Sequence, residues 1–131
     1  MSEQTILRGI LINAYTRSIT EVAIPTGTDP IYKELSKDAT NPVDCFTCVD
    51  IAEDPDGMIQ TLFVDDNGMF MQTQFFKISN HSTPLAGNAL LLGTDMENGE
   101  SISTSMSIDE VRKHVEFLSR IQVLAGCGER W

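Results

Sequence analysis

Apolar residues recur along the chain in short runs that turn-forming residues separate. Two runs rich in β-branched residues, 6–12 and 19–24, flank a polar segment and predict an N-terminal β-hairpin. The segments 45–51 and 58–64 are also strand-like, and the residues Asp-Pro-Asp-Gly at 54–57 are typical of a tight turn. The pattern therefore favours a fold rich in antiparallel strands.

Further strands are predicted in the middle of the chain. The pair Asn67 and Gly68 lies between the strand-like segment 58–64 and a second apolar segment, 69–78. Asn-Gly in this position favours a hairpin, because both residues tolerate a positive φ. Three consecutive antiparallel strands are expected here. The run 88–92 is almost wholly apolar, which is typical of a strand buried on both faces at the centre of a sheet.

Two helices are predicted, a short one and a longer one. Asp29 followed by Pro30 suits an N-cap and the first helical position, so we expect a short helix near 30–38. Ser107 and Glu110 match a capping box, and apolar residues then recur at helical spacing, which predicts a C-terminal amphipathic helix. The apolar residues of this helix are Ile108, Val111, Val115, Leu118 and Ile121.

These elements define an α+β fold class. We expect a single-domain antiparallel sheet of five to six strands packed by the C-terminal amphipathic helix, with one short helix near 30–38. The length of 131 residues, of which 41% are hydrophobic and 21% charged, matches one globular domain. Its core is predicted at about 6–122, with a flexible tail at 123–131. The exposed face of the sheet is the expected working surface.

The charge balance narrows the classes of partner. Nine Lys and Arg residues oppose nineteen Asp and Glu residues, which gives a formal net charge of −10. Contacts to phosphates need clustered cations, so we expect no direct binding of nucleic acid or of an anionic membrane. The longest apolar run, 89–92, is too short to span a membrane, and the N-terminus does not have the pattern of a signal peptide. A cytoplasmic protein is expected.

Two cysteines have a spacing that some metal and redox sites use. Cys45 and Cys48 match the spacing of a zinc knuckle or a redox pair, and Cys127, His81 and His114 are further candidate ligands. Residues three apart on a strand point to opposite faces, and no second closely spaced ligand pair exists in the sequence. We therefore interpret Cys45 and Cys48 as reduced core thiols, whereas Cys127, between two glycines, is expected to be exposed.

Other catalytic and metal motifs fit poorly. A calcium loop centred on Gly57 would need ligands at Ala52 and Phe63, whose side chains have no oxygen. Asp65 and Asp66 are adjacent on a strand, so their carboxylates diverge, whereas paired hydrolytic carboxylates must converge. We expect no metal, no cofactor, no catalytic residue and no enzymatic activity.

The negative charge is concentrated in one stretch of the chain. Residues 38–76 contain eight Asp and Glu residues and no Lys or Arg, so they carry −8 of the net −10. If folding gathers these carboxylates, they would attract a basic partner and accelerate its association at low salt. The alternative is that they only maintain solubility and protect edge strands. The candidate partner-binding residues are Asp50, Glu53, Asp54, Asp56, Asp65 and Asp66.

A different hypothesis is a small-ligand binder that sequesters a signalling nucleotide. The loop 81–87 and the N-terminal hairpin would supply the contacts, and the scarcity of cations means that backbone donors or an oligomeric pocket would have to hold the phosphates. A structural or virion-associated protein is a third alternative, and free sheet edges are compatible with a homodimer. The candidate ligand-binding residues are Tyr15, Arg17, His81 and Asn88.

Several segments of the chain resemble a known family. They are Gly-Ile-Leu-Ile-Asn-Ala-Tyr-Thr-Arg-Ser-Ile-Thr-Glu-Val at 9–22, Leu-Phe-Val-Asp-Asp-Asn-Gly at 62–68, Phe-Phe at 75–76, and Pro-Leu-Ala-Gly-Asn-Ala-Leu-Leu-Leu-Gly-Thr-Asp at 84–95. In this order they are similar to a family of small uncharacterised proteins of bacteriophages and mobile elements, described only as a domain of unknown function. The resemblance spans about 9–118 and carries no catalytic residue.

The resemblance implies a genomic setting. The resemblance implies binding to a host factor, because small accessory phage proteins often bind one, including components of antiviral defence. Combined with the acidic stretch, it leads to the hypothesis of a non-enzymatic accessory protein that inhibits or sequesters a host component in the host cell cytoplasm. The acidic stretch would mimic the charge of DNA. The expected partner is a host protein with a basic surface, such as a nuclease or another defence component.

Overall fold

Antiparallel strands form most of the structure, a computed structural model that describes residues 5–54, 57–79, 81 and 83–119. The larger sheet contains β1 (Ile6–Asn13), β2 (Ser18–Pro25), β3 (Phe46–Glu53), β4 (Met58–Asp65), β7 (Ala89–Asp95) and β8 (Ser101–Ile102). The smaller sheet contains β5 (Gln74–Ile78), β6 (Leu85–Ala86) and β9 (Val115–Ser119). The helices are α1 (Thr28–Leu35), α2 (Gly68–Met71) and α3 (Ile108–His114). The architecture is therefore α+β.

The run 89–92 lies at the centre of the larger sheet, as predicted. The strand order is β2-β1-β7-β4-β3, with β8 also paired to β7. Ala89 of β7 pairs with Ile12 of β1 on one side and with Val64 of β4 on the other. The side chains at 89–92 are at most 1% exposed. Among the residues that the structure describes, β2 and β3 are thus the outermost strands of this order.

Apolar layers cover both faces of the larger sheet, because successive residues of a strand point to opposite faces. One layer lies between the two sheets and includes Ile10, Ile12, Leu62, Leu91, Phe76, Ile78 and Val111. The other lies under α1 and includes Leu7, Ile31, Leu35, Phe63, Leu90 and Leu92. The smaller sheet and α3 therefore pack on one face, and α1 packs on the other.

The N-terminal elements match their predictions closely. β1 and β2 form the expected hairpin, with a register that runs from Ile6 opposite Pro25 to Asn13 opposite Ser18. The short helix predicted near 30–38 is α1, which begins slightly earlier. Its N-cap is Gly27, and no side chain caps it, so the predicted capping role of Asp29 is wrong. Asp29 lies instead in the first turn, where its negative charge interacts favourably with the positive end of the helix dipole.

The prediction that Asn67 and Gly68 close a hairpin is wrong. The chain enters α2 at Gly68, and β5 then joins the smaller sheet. The edge of β4 that a hairpin partner would use is already occupied by β7, which pairs with seven residues of β4. A Cβ atom on Gly68 would lie 2.9 Å from the Cβ of Ala86, so the backbone packs there closely. Of the three expected consecutive strands, only β3 and β4 pair with each other.

The capping box at the start of α3 is present as predicted. The Ser107 hydroxyl accepts a hydrogen bond from the backbone N–H of Glu110, and the Glu110 carboxylate accepts one from the backbone N–H of Ser107, each at 3.1 Å. Val111 of the apolar stripe is buried against the core. The start of the helix and its packing face were therefore readable from the sequence.

The C-terminal amphipathic helix does not continue as far as predicted. The chain changes to β9 at Val115, so the helical prediction is wrong for Val115 and Leu118. Val115 and Phe117 alternate with exposed Glu116, which is a strand period, and β9 completes the smaller sheet by pairing with β5. Ile121 and the predicted tail at 123–131 lie outside the described residues.

Candidate functional site

β3 is the edge strand at which the acidic residues of the hairpin collect. Among the residues that the structure describes, it pairs only with β4. Five of its eight side chains are exposed, and only Ile51 is buried. In its neighbour β4, six of eight side chains are buried. Within the described residues, the side of β3 away from β4, here called its free edge, therefore carries no other strand, and most side chains of β3 are exposed.

Acidic side chains flank β3 along its whole length. At the start of the strand, the backbone N–H of Asp66 donates to the carbonyl of Cys45 at 2.9 Å. Asp50 lies in the middle of the strand, and eight residues at about 3.3 Å each place its two ends roughly 25 Å apart. We call the five carboxylates along this strand the acidic edge: Asp44, Asp50, Glu53, Asp54 and Asp66.

No ion pair neutralises the acidic edge within the described residues. The two ion pairs found there are Arg8 with Glu21, at 2.5 Å, and Lys37 with Glu34, at 2.7 Å. Both lie outside the acidic edge, because the cation-free segment 38–76 contributes all five of its carboxylates. The uncompensated charge attracts cations over about 8 Å at physiological ionic strength.

Three further acidic residues extend this charge and were not singled out from the sequence. Asp95 ends β7, and Glu97 and Glu100 lie in the turn between β7 and β8. Pairing of Met58 with Asp95 and a hydrogen bond from the Met96 N–H to the Gly57 carbonyl, at 3.4 Å, place this turn beside the end of the β3–β4 hairpin. The proximity follows from the pairing of β4 with β7, which local sequence does not reveal.

Asp65 points into the protein, unlike the acidic edge. It is 9% exposed, and its carboxylate accepts hydrogen bonds from the backbone N–H of Asn67, at 2.9 Å, and from the side-chain amide of Gln72, at 3.0 Å. These partners orient the carboxylate inward, so we leave Asp65 out of the partner-binding surface. Asp56, the sixth predicted partner-binding residue, lies outside the described residues.

Gln72 is the centre of a buried polar network at the same end of the sheet as Asp65. Its side chain is fully buried, and its amide group also donates to the carbonyl of Asn41 at 2.9 Å. Its carbonyl oxygen accepts a hydrogen bond from the Tyr15 hydroxyl. The network joins the turn after β1, the segment after α1 and the end of β4. It therefore stabilises the junction between these segments.

Asn88 joins two of the same segments. Its side-chain carbonyl accepts from the backbone N–H of Ala14 at 3.1 Å, and its amide group donates to the carbonyl of Lys37 at 2.6 Å. Asn88 is 2% exposed. Both polar groups of this predicted ligand-binding residue thus have partners inside the protein.

The four predicted ligand-binding residues do not form one pocket. Arg17 is exposed in the turn between β1 and β2, with a φ of 53°. The N–H of His81 donates to the carbonyl of Ile78 at 3.0 Å, whereas the residue before Asn88 donates to the carbonyl of Gln74 at 2.8 Å. These contacts lie at opposite ends of β5, roughly 13 Å apart by strand rise. The geometry gives the nucleotide-binding hypothesis no common site.

Cys45 and Cys48 are exposed, so their interpretation as core residues is wrong. β3 is an edge strand, which removes the burial that the sequence pattern suggested. Partial burial raises the pKa of the Cys48 thiol, and the charge of Asp50 raises it further. A protonated thiol is a poor nucleophile and a poor metal ligand. The described residues contain no cluster of three His, Cys, Asp or Glu side chains fit to hold a metal ion, and Cys127 lies outside them.

On each face of the sheet, a cavity lies near β3. A groove of about 510 Å³ beside α1 has an apolar floor that includes Leu7, Phe63 and Leu92, and none of the described residues that line it is Lys or Arg. A smaller cavity of about 210 Å³ lies between β3 and α3. Its lining residues include apolar Ile51, the acidic residues Asp54 and Glu110, and His114. The smaller cavity therefore adjoins the acidic edge.

None of the helices in the described part of the chain has the length and apolar character that crossing a membrane requires.

Comparisons with protein-family models, with curated proteins and with solved structures found no match to this chain. The resemblance to phage proteins therefore stays a prediction.

Proposed function

We propose that this protein is a non-enzymatic binding protein that captures a basic protein through its acidic edge. The observation that supports this most is the open edge strand β3, flanked by five carboxylates that no described ion pair neutralises. An exposed strand with this charge favours association with a cationic surface and disfavours association with nucleic acid or another acidic protein.

The predicted phage setting specifies the partner. We propose a host protein with a basic, nucleic-acid-binding surface, such as a nuclease of a defence system, which the protein inhibits or sequesters in the host cytoplasm. One strand of duplex DNA has about seven phosphates over 25 Å, and the acidic edge has five carboxylates over a similar length. The charge density is thus close enough to that of a DNA strand for the acidic edge to compete for a phosphate-binding surface.

Reversing two charges of the acidic edge should abolish capture. The variant Glu53→Lys with Asp66→Lys changes two exposed side chains. Among the described residues, the single side-chain hydrogen bond of this pair is a weak contact from the Cys45 thiol to the Asp66 carboxylate, at 4.0 Å. We expect at least a tenfold loss of basic proteins captured from host lysate on the immobilised variant, measured by quantitative mass spectrometry. Capture by the unchanged protein should also fall as salt is raised.

A matched control separates this surface from net charge. Asp29→Lys with Asp109→Lys makes the same change of charge at two exposed positions in the first turns of α1 and α3. Each substitution should cost about 0.5 kcal/mol of stability through the helix dipole and leave capture intact. Equal capture by all three proteins at every salt concentration would refute the proposed function. Equal loss in both variants would show that net charge, and not the acidic edge, drives binding.

A further inference from the structure

The free edge of β3 presents backbone groups that point away from the sheet. The hydrogen bond from Asp66 N–H to the Cys45 carbonyl, at 2.9 Å, makes these two residues a hydrogen-bonded pair of the antiparallel ladder. Hydrogen-bonded and non-hydrogen-bonded pairs alternate along such a ladder. The N–H and C=O groups of Phe46, Cys48 and Asp50 therefore point away from β4, toward the free edge.

This part of the edge has few of the features that prevent strand pairing. Edge strands are usually blocked by proline, by lysine, by a bulge or by a covering segment. The residues 46–50, Phe-Thr-Cys-Val-Asp, include neither proline nor lysine, and the register shift comes only after Asp50. The pairable stretch is thus five residues, or about 16 Å.

Charge decides which strand can occupy this edge. Pairing of β3 with β3 of a second copy would bring two acidic edges within about 4.8 Å of each other, and like charges on neighbouring strands repel. A basic segment instead places cations beside Asp50 and Glu53. Charge complementarity therefore favours a basic partner strand over self-association.

The cavity between β3 and α3 suits one long cationic side chain. Its volume of about 210 Å³ is below that of ordinary small-molecule pockets, and its apolar wall at Ile51 can contact an aliphatic stem. The Asp54 carboxylate accepts from Gln60 at 3.1 Å and from Ser105 at 2.7 Å, and a carboxylate has about four acceptor positions. Asp54 and Glu110 can thus accept from a guanidinium or ammonium group.

We propose that the partner binds as an extended basic segment that adds a strand to β3 and inserts one arginine or lysine between β3 and α3. The inference rests on the proposed function, because it specifies how the acidic edge holds its basic partner. Backbone pairing would supply affinity, and the alternate side chains would supply selectivity.

The test uses a short synthetic peptide that alternates arginine with valine, and the same peptide with an N-methyl group on every backbone amide, which removes the N–H donors of both strand edges. Both peptides have the same charge, but only the first can form a strand ladder. We expect the methylated peptide to bind at least tenfold more weakly. In the complex with the first peptide, amide hydrogen exchange measured by NMR should slow at Phe46, Cys48 and Asp50 and stay unchanged at Thr47 and Val49.

Two variants of the chain probe the same contacts. Cys48→Pro removes an outward N–H at an edge position, where proline is tolerated, and should weaken binding at least tenfold, whereas Cys48→Ser should not. Glu110→Gln keeps the capping box and should lower the affinity for the arginine peptide about fivefold, since one charge-assisted contact is lost. If the Cys48→Pro variant does not fold, the amide exchange rates of the unchanged protein with and without the first peptide still test strand addition.

Each outcome decides between the inferences. One outcome is that both peptides bind equally well and that the variant Glu53→Lys with Asp66→Lys binds them more weakly. This would overturn strand addition and leave the proposed function standing. Binding of neither peptide above that of a glutamate–valine control would overturn both. A dimer of the unchanged protein in analytical ultracentrifugation that Cys48→Pro dissociates would show that a second copy occupies the edge, and this would overturn the basic segment as its partner.

Discussion

Replacing Gln72 by leucine should lower the free energy of unfolding by about 3 kcal/mol. Leucine nearly fills the same space, so the main loss is polar: the buried carboxylate of Asp65 loses a donor, and the Tyr15 hydroxyl and the Asn41 carbonyl lose their partners. Leaving a buried polar group without a partner costs about 1–3 kcal/mol, and more for a charged group. Urea unfolding followed by circular dichroism measures the change.

The control for this prediction is Gln74→Leu. Gln74 lies two residues further along the chain, at the start of β5, and is only half-buried. Its replacement should therefore change the free energy of unfolding by less than about 0.5 kcal/mol. A Gln72→Leu variant as stable as the unchanged protein would contradict the structural role of the network. It would reopen a ligand-binding role for Tyr15 at this end of the sheet.

Replacing Leu91 by alanine should destabilise the protein by about 3–4 kcal/mol. Leu91 is fully buried at the centre of the larger sheet, between Ile10 of β1 and Leu62 of β4. Removing a side chain from such a site costs its transfer free energy and leaves a cavity that the neighbouring strands cannot close. Thermal unfolding should show a fall in Tm of roughly 10 °C or more.

The matched control is Ile6→Ala on β1, whose side chain is 56% exposed. The free energy of unfolding should fall by less than about 1 kcal/mol in this variant, because most of the Ile6 side chain is already in water. Similar losses in the two variants would show that β7 is not the centre of the core, in conflict with the strand order described above.

Local patterns predicted the elements whose partners are close in sequence or whose burial is complete. The hairpin of β1 and β2, the capping box of Ser107 and the buried run at 89–92 follow from alternation, capping chemistry and apolar content. Each of these signals comes from a few consecutive residues. Their physical cause is therefore present in the sequence itself.

Long-range pairing decided the features that the sequence did not reveal. β7 occupies the edge of β4 that Asn67 and Gly68 would otherwise offer to a hairpin, and pairing with β5 converts the predicted helical stripe at Val115 into a strand. The same topology turns Asp65 inward and leaves β3 at the edge. The concentration of charge was readable from composition, whereas its arrangement along an open strand required the sheet order.

The central claim is that the acidic edge is the surface that binds a partner. NMR chemical-shift mapping of the isotope-labelled protein with the host protein it captures tests this claim most directly. The account predicts that the largest shift changes fall on β3 and on the flanking Asp44, Asp54 and Asp66. Changes centred on the 510 Å³ groove beside α1, or on Tyr15 and Asn88, with β3 unchanged, would contradict it.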